Sequence, residues 1–236
     1  MPEWTWEPDD FAALWLSPTN DRIPHPLRFT SRFAYRDDFD AHPATMRERY
    51  SRAELDKIQL ALHTLTTSTM RIEIFGGTTR YENAEGDARV YRIVGARTDR
   101  HAMSLDQTTY GYANGPIRCR LFPTDHLPAR LVSCLPPCRP GTHPLATARA
   151  DEPNSAERHR RLLHRPADGG GSAVLYTGPA NRVDEPRTTV QWHDITGDGR
   201  YTELHGHTVH PTTPTDLAAH FATWIDRATR NLFEAE

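Results

Sequence analysis

A chain of 236 residues with 37% hydrophobic and 25% charged residues has the material for one large domain or two small ones. Its net charge of −3 excludes a nucleic-acid binder held by counterion release, which needs a strongly basic face. No apolar run approaches the ~20 residues that span a bilayer.

The start, Met1-Pro2-Glu3-Trp4, lacks the basic and apolar regions of a secretory leader, so a cytoplasmic location is expected. Lys57 is the one lysine among 28 basic residues. Three cysteines, Cys119, Cys134 and Cys138, are too few for a disulfide framework. Cys134-x3-Cys138 has no second pair to complete a zinc site, and free thiols are the expectation.

Asp9 to Leu16 reads as a short helix, with acidic residues at its start and Phe11, Leu14 and Trp15 on one face. Pro18 ends it. Prolines 24 and 26 then hold Ile23 to Phe29 extended. Tyr35 and Phe39 suggest a helical turn that breaks near Pro43. Ser51 to Leu65 is a helix, opened by Ser51 and Glu54 in a capping-box pattern, with Leu55, Ile58, Leu62 and Leu65 aligned.

The period then changes. Met70 to Phe75 alternates, with Met70, Ile72 and Ile74 on one side, and Gly76-Gly77 closes the strand. Thr78 to Asp87 is a polar loop. Arg89–Arg97, Ala102–Tyr110 and Ile117–Leu121 continue as a meander.

Thr124 to Leu135 returns to a helix with Leu127, Leu131 and Val132 inward. A proline- and glycine-rich linker runs to Pro153, and a basic helix is expected from Asn154 to Arg165. Asp168-Gly-Gly-Gly171 reads as a flexible turn into a strand at Ser172–Thr177. The last helix begins at Thr213-Pro-Thr-Asp216, a capping box with proline at the first helical position. Leu217, Phe221, Trp224, Ile225, Ala228 and Leu232 form its apolar stripe.

Between these lies the most patterned stretch, Thr188 to His210, read as two strands joined at Gly197-Asp198-Gly199. Centring the loop on Asp198 pairs Trp192 with Leu204, Ile195 with Tyr201 and His193 with Glu203. A one-residue slip sets Asp194 against Glu203, a like-charge pair. One face then carries Val190, Trp192 and Leu204. The other carries Gln191, His193, Glu203, His205 and His207 with Ile195 and Tyr201.

Helices followed by strands occur twice. The expected fold is therefore α+β: one domain over 1–236, with pseudo-symmetric halves of about 1–123 and 124–236 sharing an antiparallel sheet of about seven strands.

Asp194-x-Thr196-x-Asp198-Gly199 resembles the opening of a calcium loop, but its twelfth position is His205 and its flanks are strands, so a turn is the better account. His193, Glu203 and His205 share a face and form an alternative zinc or hydrolytic set. No nucleophile elbow or phosphate-cradling loop is present, so neither enzyme nor cofactor is expected. A broad sheet with a mixed outer face suits protein binding, either of a client or of a second copy.

Taken in order, several stretches carry a resemblance. They are Asp9-Phe11-Leu14-Trp15 with Arg22-Ile-Pro-His-Pro-Leu-Arg28, then Met70 to Gly76, then Leu127 to Val132 before Leu135-Pro-Pro137, then Trp192 to Tyr201, and the C-terminal helix. The chain resembles the EspG family, the actinobacterial type VII (ESX) secretion-associated chaperones.

The resemblance implies a central antiparallel sheet with two helical subdomains and quasi-two-fold symmetry. It also implies a cytosolic role: binding PE–PPE heterodimers and covering the hydrophobic tip of the PPE helical bundle. Contacts in the family use the sheet, an early inter-strand loop and C-terminal helical parts. Carried over by region, the first two become Thr78, Arg80, Tyr81, Glu82 and Asn83 in the loop, and Gln191, His193, Glu203 and His205 on the sheet.

Overall fold

Two periodicities, helical then alternating, set the chain's element order twice. The computed structural model describes residues 1–143, 146–147, 161–182, 184–204 and 208–234. The first half holds β1 (Glu3–Trp6), α1 (Pro8–Trp15), α2 (Arg36–Glu48) and α3 (Arg52–Thr66). A meander of β2 (Met70–Thr78), β3 (Arg89–Arg97), β4 (His101–Tyr110) and β5 (Ala113–Pro123) follows, and α4 (Leu127–Ser133) closes it.

The second half runs β6 (Ala146–Thr147), helical residues 161–163, then β7 (Ala167–Thr177), β8 (Thr188–Ile195), β9 (Arg200–Leu204) and β10 (Thr208–Pro211). The helix α5 (Pro214–Phe233) ends it.

The strands form one sheet ordered β1-β5-β4-β3-β2-β7-β8-β9-β10-β6. Outward from the central β2–β7 pair, each meander is followed by the edge strand that opened its half. That order is the quasi-two-fold, α+β arrangement expected. Ten strands replace the expected seven because the strand expected to run on to His210 ends at Leu204, with β10 pairing back against β9, and because β1 and β6 are only four and two residues long. Such short edges hold too few residues for alternation to register.

One sheet face packs Met70, Ile72, Ile74, Leu175, Val190 and Trp192 against α4 and α5, through Leu127, Leu131, Leu217, Phe221 and Ile225. The other packs Val94, Ala96, Met103, Leu105 and Ile117 against α1–α3, through Phe11, Trp15, Ile58 and Leu65. A smaller cluster of Ile195, Tyr201 and Val209 lies under Leu162 at the far end of that second face.

Local signals hold where side chains supply them. The Ser51 hydroxyl accepts from Glu54 N, and Thr213 with Asp216 completes the capping box of α5. The Glu54 carboxylate instead accepts the Trp4 indole N–H at 2.6 Å.

Three expectations fail, each for a tertiary reason. The helix α2 runs through Pro43, because buried His42 lies 2.7 Å from Asp10, Arg49 donates to the same carboxylate at 3.0 Å, and Met46 is fully buried. Anchors on both sides of the proline outweigh its lost hydrogen bond.

The hairpin register is shifted by two residues. Asp194 faces Arg200, His193 faces Tyr201, Trp192 faces Thr202 and Gln191 faces Glu203. The cause is a buried, two-pronged ion pair, Arg200 to Asp194 at 2.7 and 2.8 Å, which the expected centring would break. A shift of two keeps every side chain on its expected face.

The third failure concerns glycines. Gly76 and Gly77 continue β2 to Thr78 rather than closing it, and Asp168 to Gly171 lie within β7 rather than in a turn, with Gly171 opposite Gly76 and Gly170 opposite Gly77. The glycines clear space for Tyr91 from β3 and Trp192 from β8, which reach over the central pair from opposite sides. The Tyr91 hydroxyl donates to Gly170 O at 2.8 Å and accepts from Trp192 Nε1 at 3.2 Å. A Cβ on Gly76 would stand 2.2 Å from the Tyr91 hydroxyl, and one on Gly171 would stand 2.7 Å from Trp192.

Overpacking of this kind costs about 1–3 kcal/mol. We expect Gly76→Ala and Gly171→Ala to lose that much in urea unfolding. Gly77→Ala, whose nearest contact is 3.4 Å, should lose less than about 1 kcal/mol.

Candidate protein-binding surface

The α1–α3 face is covered at both ends but open between them. Registered pairing sets Arg92, Phe75, Ser172, Gln191 and Glu203 in one row across β3, β2, β7, β8 and β9. The next row is Val90, Gly77, Gly170 and His193, ending at Tyr201 under the Leu162 cluster. With two glycines in the floor, the strip holds a shallow hollow of about 490 Å³ lined by Phe75, Gly77, Gly170, Ser172, Gln191 and His193.

Phe75 is 46% exposed, although it is a large apolar residue in the middle of a central strand. The Arg92 guanidinium lies 4.7 Å from its ring centroid and donates to Pro26 O at 3.2 Å. Burial, with the neighbouring Arg28 charge, lowers the Arg92 pKa. The strip therefore presents an aromatic ring backed by a cation. The polar pair His193 and Glu203, 3.7 Å apart, stands on its far side.

The expected residues fall into three groups. Gln191, His193 and Glu203 lie on this strip. Thr78 is buried at the end of β2, where its hydroxyl accepts from Arg80 N. Arg80 turns back to Asp168 at 2.8 Å, Tyr81 and Glu82 are exposed, and Asn83 shapes its own loop by accepting from Glu85 N and Asp87 N. His205 and His207 lie outside the described residues, as does most of the helix expected from Asn154 to Arg165. Among the described residues, no three His, Cys, Asp or Glu side chains gather as metal ligands.

Residue-by-residue reading missed Phe75, which the alternation of Met70 to Phe75 had already placed opposite the core side. It also missed two aspartates. Asp168 accepts from Thr196 and Arg80, which lowers its pKa and ties the loop after β2 to the β8–β9 turn. Asp198, read as a turn residue, is a buried hub. It accepts from Thr142 N and hydroxyl, Arg165 at 2.6 Å and the Tyr201 hydroxyl at 3.0 Å, with His143 Nδ1 2.9 Å away. Burial opposes its ionisation, but these donors outweigh that and hold its carboxyl well below the usual range.

The cysteines are free, and burial raises their pKa values, for Cys134 to about 12.

This is an α+β protein with a quasi-symmetric sheet that leaves a mixed strip, with Phe75 exposed, uncovered by its helices. A model of the EspG family matches residues 7–222, and the chain belongs to that family. EspG proteins are type VII secretion-associated chaperones that bind secreted ESX substrates. A search of curated proteins finds no match. No helix among the described residues is long and apolar enough to cross a membrane.

Because Asp198 is held ionised in the folded state, its contribution is present above the unfolded carboxylate pKa near 4 and is lost as pH falls. Asp198→Asn should cost about 1–3 kcal/mol at pH 7 in urea unfolding, and the gap to wild type should begin to narrow below about pH 4 and close only as the pH falls through the depressed folded value.

Proposed function

We propose that this chain is a cytoplasmic, non-enzymatic chaperone. It holds a helical secretion substrate of PE–PPE type in a one-to-one complex and covers its hydrophobic tip until export. The observation that carries this reading is the row from Arg92 to Glu203, in which Phe75 stands exposed on the central strand β2.

Family membership supplies the kind of partner, and the strip supplies the physics. An aromatic on a glycine floor removes apolar client surface from water, and polar groups beside it select the partner. The loop residues Tyr81 and Glu82 stand at the end of the same sheet and extend the contact. Energy concentrated in a few central residues is the usual pattern for such surfaces.

The test is co-expression with a PE–PPE heterodimer followed by a binding titration of the purified partners. Wild type should keep the heterodimer soluble and bind it in equal amounts. Phe75→Asp and His193→Arg should each weaken binding by about tenfold or more, roughly 1.4 kcal/mol, with unchanged thermal unfolding of the free chain. Affinity unchanged in both variants would remove the strip from the interface.

A further inference from the structure

At the end of β2 away from Thr78, the two halves and α5 enclose a second hollow, of about 470 Å³. A registered row crosses it: Thr177 on β7 faces Met70 on β2, which faces Arg97 on β3. Met70 points to the side packed on α4 and α5, so this hollow lies on the face opposite the Phe75 strip. Leu232 of α5 joins the lining, as do Arg182 and Arg187 from the connection between β7 and β8.

The lining is rich in donors. Three arginines, Arg97, Arg182 and Arg187, share the hollow with one aspartate, Asp99. Arg182 donates from Nε to Asp184 at 2.6 Å, and Arg187 donates from Nε to the Thr177 hydroxyl at 3.1 Å. Both guanidiniums are thereby fixed, and their terminal nitrogens have no hydrogen-bond partner among the described residues. Because Thr177 accepts from Arg187, its own proton is free to donate.

Arg97 is the least compensated of the three. Its Nε is buried and makes no hydrogen bond among the described residues. Arg89 and Arg92 also have a buried Nε without a partner, but each guanidinium lies over an aromatic ring, Tyr81 or Phe75. No such ring faces Arg97 among the described residues. Burial lowers its pKa, and Asp99 and Asp226 only partly offset that. A buried group without a partner is where a bound ligand is expected.

We propose that this hollow binds a phosphate monoester, whose phosphoryl oxygens meet the three guanidiniums and whose organic body lies on Met70 and Leu232. A planar carboxylate is satisfied by one arginine fork, whereas a tetrahedral phosphate has oxygens for several. The hollow also exceeds what a bare anion fills, and its apolar residues match the remainder of the ligand. Since β2, β3, β7 and α5 all contribute, the ligand would brace both halves at one end of their seam. This site is independent of the client strip.

The probe is phenyl phosphate, titrated calorimetrically into the full chain at low salt beside inorganic phosphate and benzoate. Phenyl phosphate should saturate one site and raise the thermal midpoint. Inorganic phosphate and benzoate should each bind about tenfold more weakly, for want of the ring and of the tetrahedral dianion. Arg187→Ala, a change at an exposed side chain, and Arg97→Gln should each weaken phenyl phosphate by about tenfold or more. Arg36→Ala, which removes a 90% exposed arginine on α2, should leave its affinity unchanged. No saturable binding of phenyl phosphate, or binding within twofold of wild type in the folded Arg187→Ala variant, overturns the site. Benzoate binding as tightly as phenyl phosphate overturns the choice of phosphate, and inorganic phosphate doing so overturns the organic body.

Discussion

The centre of this protein is a hydrogen bond between two aromatic side chains contributed by opposite halves. Tyr91 and Trp192 occupy equivalent positions about the β2–β7 pair, and each leans over the glycine of the strand beside it. Burial raises the pKa of the Tyr91 phenol, so the hydroxyl stays protonated and donates to Gly170 O. Without Gly76 and Gly171 neither ring could lie flat across the seam. The pair thus explains a glycine run that otherwise weakens a strand.

The same glycine patch shapes the opposite face. Successive strand residues point to opposite sides, so Gly76 and Gly171 accommodate the aromatic pair while Gly77 and Gly170 leave a hollow beside Phe75. Core requirement and open surface are therefore two sides of one short stretch of ladder. That arrangement allows a hollow in the middle of a ten-stranded sheet without losing the packing beneath it.

Much of this architecture is legible in the sequence. Side-chain alternation assigns faces correctly from Met70 to Ile74 and from Val190 to Leu204, and Thr213 with Asp216 marks the start of α5. Register is not legible in the same way. Opposite charges at Asp194 and Arg200 decide it by two residues, a choice that leaves every face unchanged and so leaves no trace in the hydrophobic pattern.

The glycines 169–171 look like a turn because the reasons for them lie on other strands: Gly171 clears Trp192 and Tyr91, while Gly169 and Gly170 lie close against the backbone of β2 and β8. Asp198 looked like a loop residue for a similar reason: its donors come from residues 142 and 165, far along the chain. On the strip, Gln191, His193 and Glu203 were readable as a shared face. Phe75 becomes notable only once the helices are seen to stop short of it.

The β2–β7 ladder has a further consequence. Its partners stand about a hundred residues apart in the chain, whereas β2 to β5 and β7 to β10 each follow one another directly. Each meander can assemble from neighbours, but the nine-residue seam between them closes only after a long loop has been brought round. Until then, β2 and β7 are exposed edges with unpaired backbone, the kind of template that recruits other chains. The aromatic pair at the seam can form only when that ladder closes, because its two rings come from opposite sides of it.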